Sequence, residues 1–176
     1  MRTTVLDIAY LEFGPPDGAP VVLLHGFPDD VHAYDAVAPV LALGGYRVLV
    51  PWLRGCGDTR FLDLATLRSG QQAAFGADLR DFLDALGIER AALAGYDWGG
   101  RAACIVAALW PEWVRCLVSV NGYNIQNIAA SLQPASADVE NRMWYVWYFN
   151  TERGRAGLSQ NRDGIARLLW QLWSPN

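Results

Sequence analysis

The sequence predicts an α/β protein in which a mostly parallel sheet carries helices on both faces. Between residues 20 and 120, short and fully apolar runs alternate with segments whose apolar residues recur at helical spacing. Fully apolar runs are typical of strands buried on both faces, and their alternation with helices favours parallel pairing through right-handed crossovers. Hydrophobic residues make up 52% of the 176 residues and charged residues 18%, which is ample for one core.

Each element follows from its local pattern. Residues 5–13 predict one or two outer strands, which end at a turn cluster of glycine and proline. Buried strands are predicted over residues 20–24, 46–51, 90–94 and 114–120. Helices are predicted over residues 32–43 and 71–86, and after the turn at residues 95–100 as far as about residue 109. Functional sites in such sheets lie at the carboxyl ends of the strands.

The turn Gly95-Tyr96-Asp97-Trp98-Gly99-Gly100 is the stretch around which the chain is organised. Small residues two before and two after a central residue are typical of a nucleophile elbow, where the backbone is strained and larger neighbours would clash. Asp97 would then lie at the tip of a strand and above the N-terminus of a helix, which favours an anion. We interpret Asp97 as a candidate nucleophile. The alternative is an aspartate N-cap in an ordinary strand-to-helix turn.

After Asn121 the composition changes. Residues 122–138 are polar, whereas residues 140–149 and 162–173 predict helices rich in aromatic side chains, and four of the eight tryptophans lie between residues 144 and 173. We therefore predict a core over residues 1–121 and a helical lid with an apolar underside over residues 122–176. Alternatively, most of these aromatics only pack the lid against the sheet.

Composition excludes several function classes. All 14 basic residues are arginines scattered among 18 acids, for a net charge of −4, so nucleic acid is not an expected partner. No apolar run is long enough for a membrane span and no signal peptide is evident, which favours a cytoplasmic protein. Cys56, Cys104 and Cys116 lack metal-ligand spacing and predict core thiols, and we expect neither a metal nor a cofactor. The glycine-rich residues 54–59 lack phosphate-loop spacing and are interpreted as a turn.

Three features together resemble the epoxide-hydrolase-like branch of the α/β-hydrolase superfamily. They are the sequence His25-Gly26-Phe27-Pro28 after an apolar strand, the turn with Asp97 followed by Trp98, and the aromatic segment after the next strand. The resemblance covers residues 9–176 and implies an α/β-hydrolase fold with the start of a helical cap. Haloalkane dehalogenases are the alternative, but they commonly carry Asn or Glu at the position of Phe27. Fluoroacetate dehalogenases usually carry Arg at the position of Trp98.

The resemblance implies a covalent mechanism. Asp97 would attack a carbon of a small hydrophobic epoxide and form an alkyl ester on the enzyme. A lid tyrosine would stabilise the ring oxygen. Tyr145, in the segment Tyr-Val-Trp-Tyr-Phe, stands at the position of the family's first lid tyrosine, and Tyr148 is held in reserve.

The resemblance also assigns supporting roles around the nucleophile. The backbone N–H groups of Phe27 and Trp98 would form the oxyanion hole for hydrolysis of the ester. His25, with Gly26 and Pro28, would brace the loop rather than act as a general base.

The family places an acid and then a histidine after the nucleophile, but His25 and His32 both precede Asp97, and Asn121 and Asn124 stand where some relatives carry the acid. We expect the histidine and the last core strands beyond residue 176, so this chain is predicted to be truncated and inactive or single-turnover. The alternative class is a non-catalytic partial chain that binds a hydrophobic ligand. The strand over residues 114–120 would then be an exposed edge, which predicts self-association.

Overall fold

The computed structural model describes residues 1–122 and 129–174, which belong to two compact units, Met1–Asn124 and Ile125–Asn176. The strands of the first unit are β1 (Leu6–Asp7), β2 (Tyr10–Phe13), β3 (Ala19–Leu24), β4 (Tyr46–Pro51), β5 (Arg60–Phe61), β6 (Ala91–Tyr96) and β7 (Val114–Val120). Its α-helices are α1 (Ala38–Leu43), α2 (Gln72–Ala85) and α3 (Asp97–Leu109).

The central sheet has five strands in the order β2-β4-β3-β6-β7. β2 runs antiparallel to β4, and the other three pairings are parallel. The predicted fold class, an α/β architecture with a mostly parallel sheet, is therefore confirmed. β1 and β5 form a separate antiparallel pair.

Both faces of the sheet are covered near its centre, which explains the fully apolar strand sequences. In β3, Val22 and Leu24 pack in a cluster with side chains of α2 and α3, whereas Val21 and Leu23 pack in a second cluster with Ala38 of α1. Successive side chains of a strand point to opposite faces, so both sets must be apolar. β3 and β6 pair side by side within this core.

The predicted helix over residues 32–43 is wrong as a single element. A 3₁₀ turn spans Val31–Tyr34 and is capped by the side chain of Asp30, which accepts a hydrogen bond from the His32 N–H. α1 begins only at Ala38, with Pro39 in its first turn. Proline has no N–H to donate and therefore favours the start of a helix over its interior.

β7 is the exposed edge strand that was expected of residues 114–120, although its largely apolar run by itself favoured burial. It pairs with β6 on one side, no other strand within the described residues pairs with its second edge, and six of its seven residues are exposed. Cys104 is buried in α3, but the expected core thiol is wrong for Cys116, since β7 leaves it exposed. Leu117, Val118 and Val120 are likewise exposed. β7 therefore has the apolar sequence of a buried strand but lies at the exposed edge of the sheet.

The described helices of the second unit are α4 (Ala137–Arg142), α5 (Trp144–Phe149), α6 (Glu152–Gln160) and α7 (Arg162–Trp173). α7 has the predicted bounds, but the predicted helix over residues 140–149 is divided at Met143. α6 was not predicted because it is polar and lacks an apolar stripe; the Thr151 hydroxyl caps it by accepting the Gly154 N–H. None of the described helices has the length and apolar character needed to cross a membrane.

Candidate active site

The turn between β6 and α3 holds Asp97 in a strained conformation. Its φ is +48°, a left-handed value that a non-glycine residue rarely adopts. The flanking glycines make the turn possible: a Cβ at Gly95 would lie 2.6 Å from the Gly99 carbonyl carbon, and a Cβ at Gly99 would lie 2.1 Å from the Leu24 oxygen. These close approaches place the carboxylate at the carboxyl end of β6, beside the end of β3.

The loop after β3 reaches the Asp97 carboxylate directly. The Phe27 N–H donates a hydrogen bond to Asp97 Oδ1 over 3.0 Å. Gly26 lies so close that a Cβ there would be 2.6 Å from the Asp97 Cβ, and the peptide bond between Phe27 and Pro28 is cis. The structure thus brings Phe27 and Asp97 together, although they are 70 residues apart in the chain.

Trp98 forms the other side of the turn. Its ring stacks on Phe75 of α2 at a centroid distance of 5.1 Å and an interplanar angle of 23°. The guanidinium of the buried Arg101 lies 4.6 Å from the centre of the same ring. The Trp98 ring therefore contacts both an aromatic ring and a cation, and these contacts restrain the first turn of α3.

His25 is fully buried, and both of its ring nitrogens are engaged. Nε2 lies 3.1 Å from the Leu53 backbone nitrogen and Nδ1 lies 3.0 Å from the Gly26 carbonyl oxygen. A backbone N–H only donates and a carbonyl only accepts, so Nδ1 carries the proton and Nε2 accepts. Burial lowers the pKa of His25, which keeps the ring neutral. In this arrangement the ring links the loop to the residues after β4.

Three residues to which the sequence analysis assigned no role, Tyr96, Asp29 and Tyr34, are connected to the elbow. The Tyr96 hydroxyl donates to Asp29 Oδ2 over 2.7 Å. The Tyr34 hydroxyl donates to the Leu24 carbonyl over 2.9 Å, and the rings of Tyr34 and Tyr96 are 6.0 Å apart. Only the position of Tyr96, next to Asp97, could have signalled a role, since Asp29 and Tyr96 are 67 residues apart.

The glycine-rich residues 54–59 contain a further anchor. Arg54 makes two hydrogen bonds to the Asp78 carboxylate of α2, at 2.6 and 2.7 Å, and both side chains are largely buried. Burial raises the pKa of Asp78, against the lowering effect of these bonds. The Arg54 guanidinium also lies 5.6 Å from the centre of the Phe75 ring. Arg54 thereby joins the loop after β4 to the aromatic pair beneath the elbow.

Tyr145 and Tyr148 lie on α5 in the second unit. The Tyr145 ring packs edge-on against Trp173 at 4.7 Å, and its hydroxyl lies 3.9 Å from Met143 Sδ. A Cβ at Gly157 would lie 2.0 Å from the Tyr148 oxygen. These contacts are internal to the second unit, and the assignment of either tyrosine as an acid stays a prediction. Asn124 lies outside the described residues.

No group of three or more His, Cys, Asp or Glu residues that could hold a metal ion occurs within residues 1–122 and 129–174. The arrangement at the elbow offers one carboxylate, held by a backbone donor, at the edge of a parallel sheet. A carboxylate in such a setting can act as a nucleophile, and that role for Asp97 stays a prediction.

Comparison with known proteins gives relatives in two enzyme classes. The chain is 39% identical to Epoxide hydrolase A of Mycobacterium tuberculosis over 92% of its own length and 49% of that relative. It is 37% identical to a haloalkane dehalogenase of Mycobacterium marinum over 69% of its length and 40% of that relative. A crystal structure of a Klebsiella pneumoniae protein provisionally named an epoxide hydrolase matches with 50% identity and a TM-score of 0.95, covering 99% of this chain and 58% of that one.

The chain thus spans between 40% and 58% of the length of these three proteins. The sequence profile for the alpha/beta hydrolase fold matches residues 19–175, which include all four parallel strands and the elbow. The chain therefore belongs to the α/β-hydrolase fold family.

Proposed function

We propose that this chain carries the nucleophile of an epoxide hydrolase and forms an alkyl ester on Asp97. The observation that carries the proposal is the 3.0 Å hydrogen bond from the Phe27 N–H to Asp97 Oδ1. With Oδ1 held, Oδ2 is the oxygen that attacks an epoxide carbon. The C–Oδ2 bond forms as the ring C–O bond breaks, and the ring oxygen takes up a proton.

The proton donor in this proposal is a phenol of the second unit. Tyr145 is the first choice and Tyr148 the reserve, in a unit that we take as the start of a helical cap. A donor is needed because an alkoxide is a poor leaving group unless it is protonated or hydrogen-bonded. The aromatic side chains of α5 favour a small hydrophobic epoxide as substrate.

The second half-reaction needs a base to activate water. The backbone N–H groups of Phe27 and Trp98 would hold the tetrahedral oxyanion. His25 is an unsuitable base because Nε2 already accepts the Leu53 N–H, and His32 is solvent-exposed beside Asp35. We therefore propose that the 176-residue chain by itself stops at the ester, with little or no turnover.

The intact mass of the chain after incubation with a reactive aryl epoxide tests this proposal. We expect a gain equal to the mass of one epoxide, which is absent in Asp97→Asn. Tyr145→Phe should slow adduct formation more than Tyr148→Phe if the first choice of donor is right. No adduct on the wild-type chain, with the fold intact by circular dichroism, would contradict the proposal and favour a chain that only binds ligand.

A haloalkane dehalogenase activity is the second candidate, supported by the relative from Mycobacterium marinum. The same carboxylate would displace a halide and form the same type of ester. Phe27 offers no side-chain amide to bind the departing halide, which favours the epoxide. Incubation with a bromoalkane separates the two, because only a dehalogenase gives both the adduct and free bromide.

We also propose that β7 pairs with a second copy of the chain. Its outer edge carries backbone N–H and C=O groups that no described strand satisfies, together with exposed apolar side chains such as Val118. Such an edge is a template for strand addition. A cytoplasmic location stays a prediction from the sequence.

A further inference from the structure

We propose that Tyr96 and Asp29 are positioning residues, whose hydrogen bond clamps the loop carrying the Phe27 N–H against the Asp97 carboxylate. The inference deepens the proposed function and rests on it, since positioning matters only if Asp97 is the nucleophile. Neither side chain needs to contact the substrate for this role.

Two hydrogen bonds join the same two short segments. The Tyr96 hydroxyl donates to Asp29 Oδ2 over 2.7 Å, and the Phe27 N–H donates to Asp97 Oδ1 over 3.0 Å. Tyr96 and Asp97 are neighbours in the chain, and Phe27 and Asp29 are two residues apart. The Tyr96–Asp29 bond therefore restrains the two segments that carry the Phe27 N–H and the Asp97 carboxylate. Together with the backbone, the two hydrogen bonds form a small closed ring between the loop and the elbow.

Gly26 completes this clamp by its lack of a side chain. A Cβ at Gly26 would lie 2.6 Å from the Asp97 Cβ and 3.0 Å from Tyr96 Cε2. The Gly26 backbone is thus held between the two elbow residues, and the loop can move away from them but not closer. The Tyr96–Asp29 bond opposes movement away.

The hydroxyl of Tyr96 is suited to remain the donor. Burial and the hydrogen bond to Asp29 both raise the pKa of Tyr96 well above its ordinary value, so the phenol keeps its proton. A hydrogen bond to a carboxylate is stronger than one between neutral groups. Asp97 also needs outside support, because a strained φ persists only where the surrounding structure enforces it.

The test compares four variants with two measurements. Tyr96→Phe and Asp29→Ala remove the hydrogen bond, whereas Asp29→Asn keeps an acceptor oxygen for the tyrosine. Tyr34→Phe is the matched control, since it removes a phenol hydroxyl next to Tyr96 that donates to the Leu24 carbonyl instead. The measurements are the hydrogen-exchange rate of the Phe27 amide and the rate of adduct formation with a reactive aryl epoxide.

In Tyr96→Phe and Asp29→Ala we expect the Phe27 amide to exchange at least about tenfold faster, the loss typical of a hydrogen bond to a charged group. Adduct formation at saturating epoxide should slow by about tenfold or more, with the half-saturating concentration unchanged, because misplacement of the nucleophile affects the chemical step. In Asp29→Asn both the exchange rate of the Phe27 amide and the rate of adduct formation should stay close to the wild-type values. Tyr34→Phe should lower the melting temperature but change neither rate.

Three outcomes would overturn the inference. Wild-type exchange of the Phe27 amide in Tyr96→Phe would show that the bond does not hold the loop. Equal effects of Tyr34→Phe and Tyr96→Phe would show a general loss of stability, and a rise in the half-saturating concentration alone would show a role in substrate binding. If the wild-type chain forms no adduct, only the proposed function is refuted. The exchange rates of the Phe27 amide then still decide whether the Tyr96–Asp29 bond holds the loop.

Discussion

Gly99 of α3 lies directly against the end of β3, so its replacement by alanine tests the geometry of the elbow. The added Cβ would lie 2.1 Å from the Leu24 oxygen, 2.4 Å from the Leu24 carbonyl carbon and 2.5 Å from the His25 oxygen. Comfortable contacts between nonbonded heavy atoms are about 3.5 Å, so α3 and β3 must separate by about 1 Å or more. All three obstacles are backbone atoms, and no side-chain rotation relieves them.

Overpacking a well-packed site costs about 1–3 kcal/mol, and the rigid surroundings place Gly99→Ala at the upper end, about 3 kcal/mol. For a chain of this size each kcal/mol lowers the melting temperature by about 2–4 °C, so a fall of about 6–12 °C is expected. Scanning calorimetry measures it. The same displacement should lengthen the hydrogen bond between Phe27 and Asp97, so ester formation should also slow.

Gly70→Ala is the matched control, because a Cβ at Gly70 has no atom within 4 Å. The same chemical change should there leave stability unchanged or raise it by up to about 1 kcal/mol, through the lower entropy of the unfolded chain. A melting temperature of Gly99→Ala within about 1 °C of the wild type would show that the close approach of α3 and β3 does not shape the elbow.

Three further predictions concern other parts of the first unit. Burial lowers the pKa of His25 below 6.5, so at mildly acidic pH the unfolded chain binds a proton that the folded chain does not bind. The free energy of unfolding should therefore fall as the pH drops below 6.5. His25→Asn should weaken this pH dependence, which denaturant titrations at a series of pH values measure. Arg54→Met leaves the Asp78 carboxylate buried without its cation and should cost about 3–5 kcal/mol in urea titrations, most of it recovered in Arg54→Met/Asp78→Leu. Val118→Lys should abolish the self-association of the wild type in sedimentation velocity, and a wild-type monomer would refute that proposal.

Much of the fold was predictable because strands that are buried on both faces of the sheet have fully apolar sequences. The predicted bounds of β4, β7 and α7 are those of the structure. The failures have local causes, such as Pro39, which lies in the first turn of a short helix where periodicity favoured a longer one. The apolar run of β7 by itself favoured a buried strand, because such a run records the composition of a strand and not whether a neighbour covers it; the open edge was expected from the resemblance alone.

The candidate site was partly predictable for a similar reason. Small residues around Asp97 indicate a tight turn with no room for larger side chains, and this signal is local in sequence. The φ of +48° at Asp97 agrees with such a turn. The Tyr96–Asp29 and Arg54–Asp78 pairs have no such local pattern, since each depends on how distant strands and helices come together. Tyrosine, aspartate and arginine are also common on surfaces, so apart from the position of Tyr96 next to Asp97 nothing in the sequence separates these four residues from the rest.

The strain at Asp97 connects these pairs to the candidate function. A left-handed aspartate costs on the order of 1–3 kcal/mol, which the surrounding contacts must offset. On one side the loop after β3 supplies the Phe27 N–H, and on the other Trp98 stacks on Phe75 and lies near the guanidinium of Arg101. Because the two sets of contacts restrain adjacent residues, loosening either one should relax the same turn. The rate of ester formation should therefore respond to changes at Asp29, outside the expected substrate contacts, as strongly as to changes beside the carboxylate.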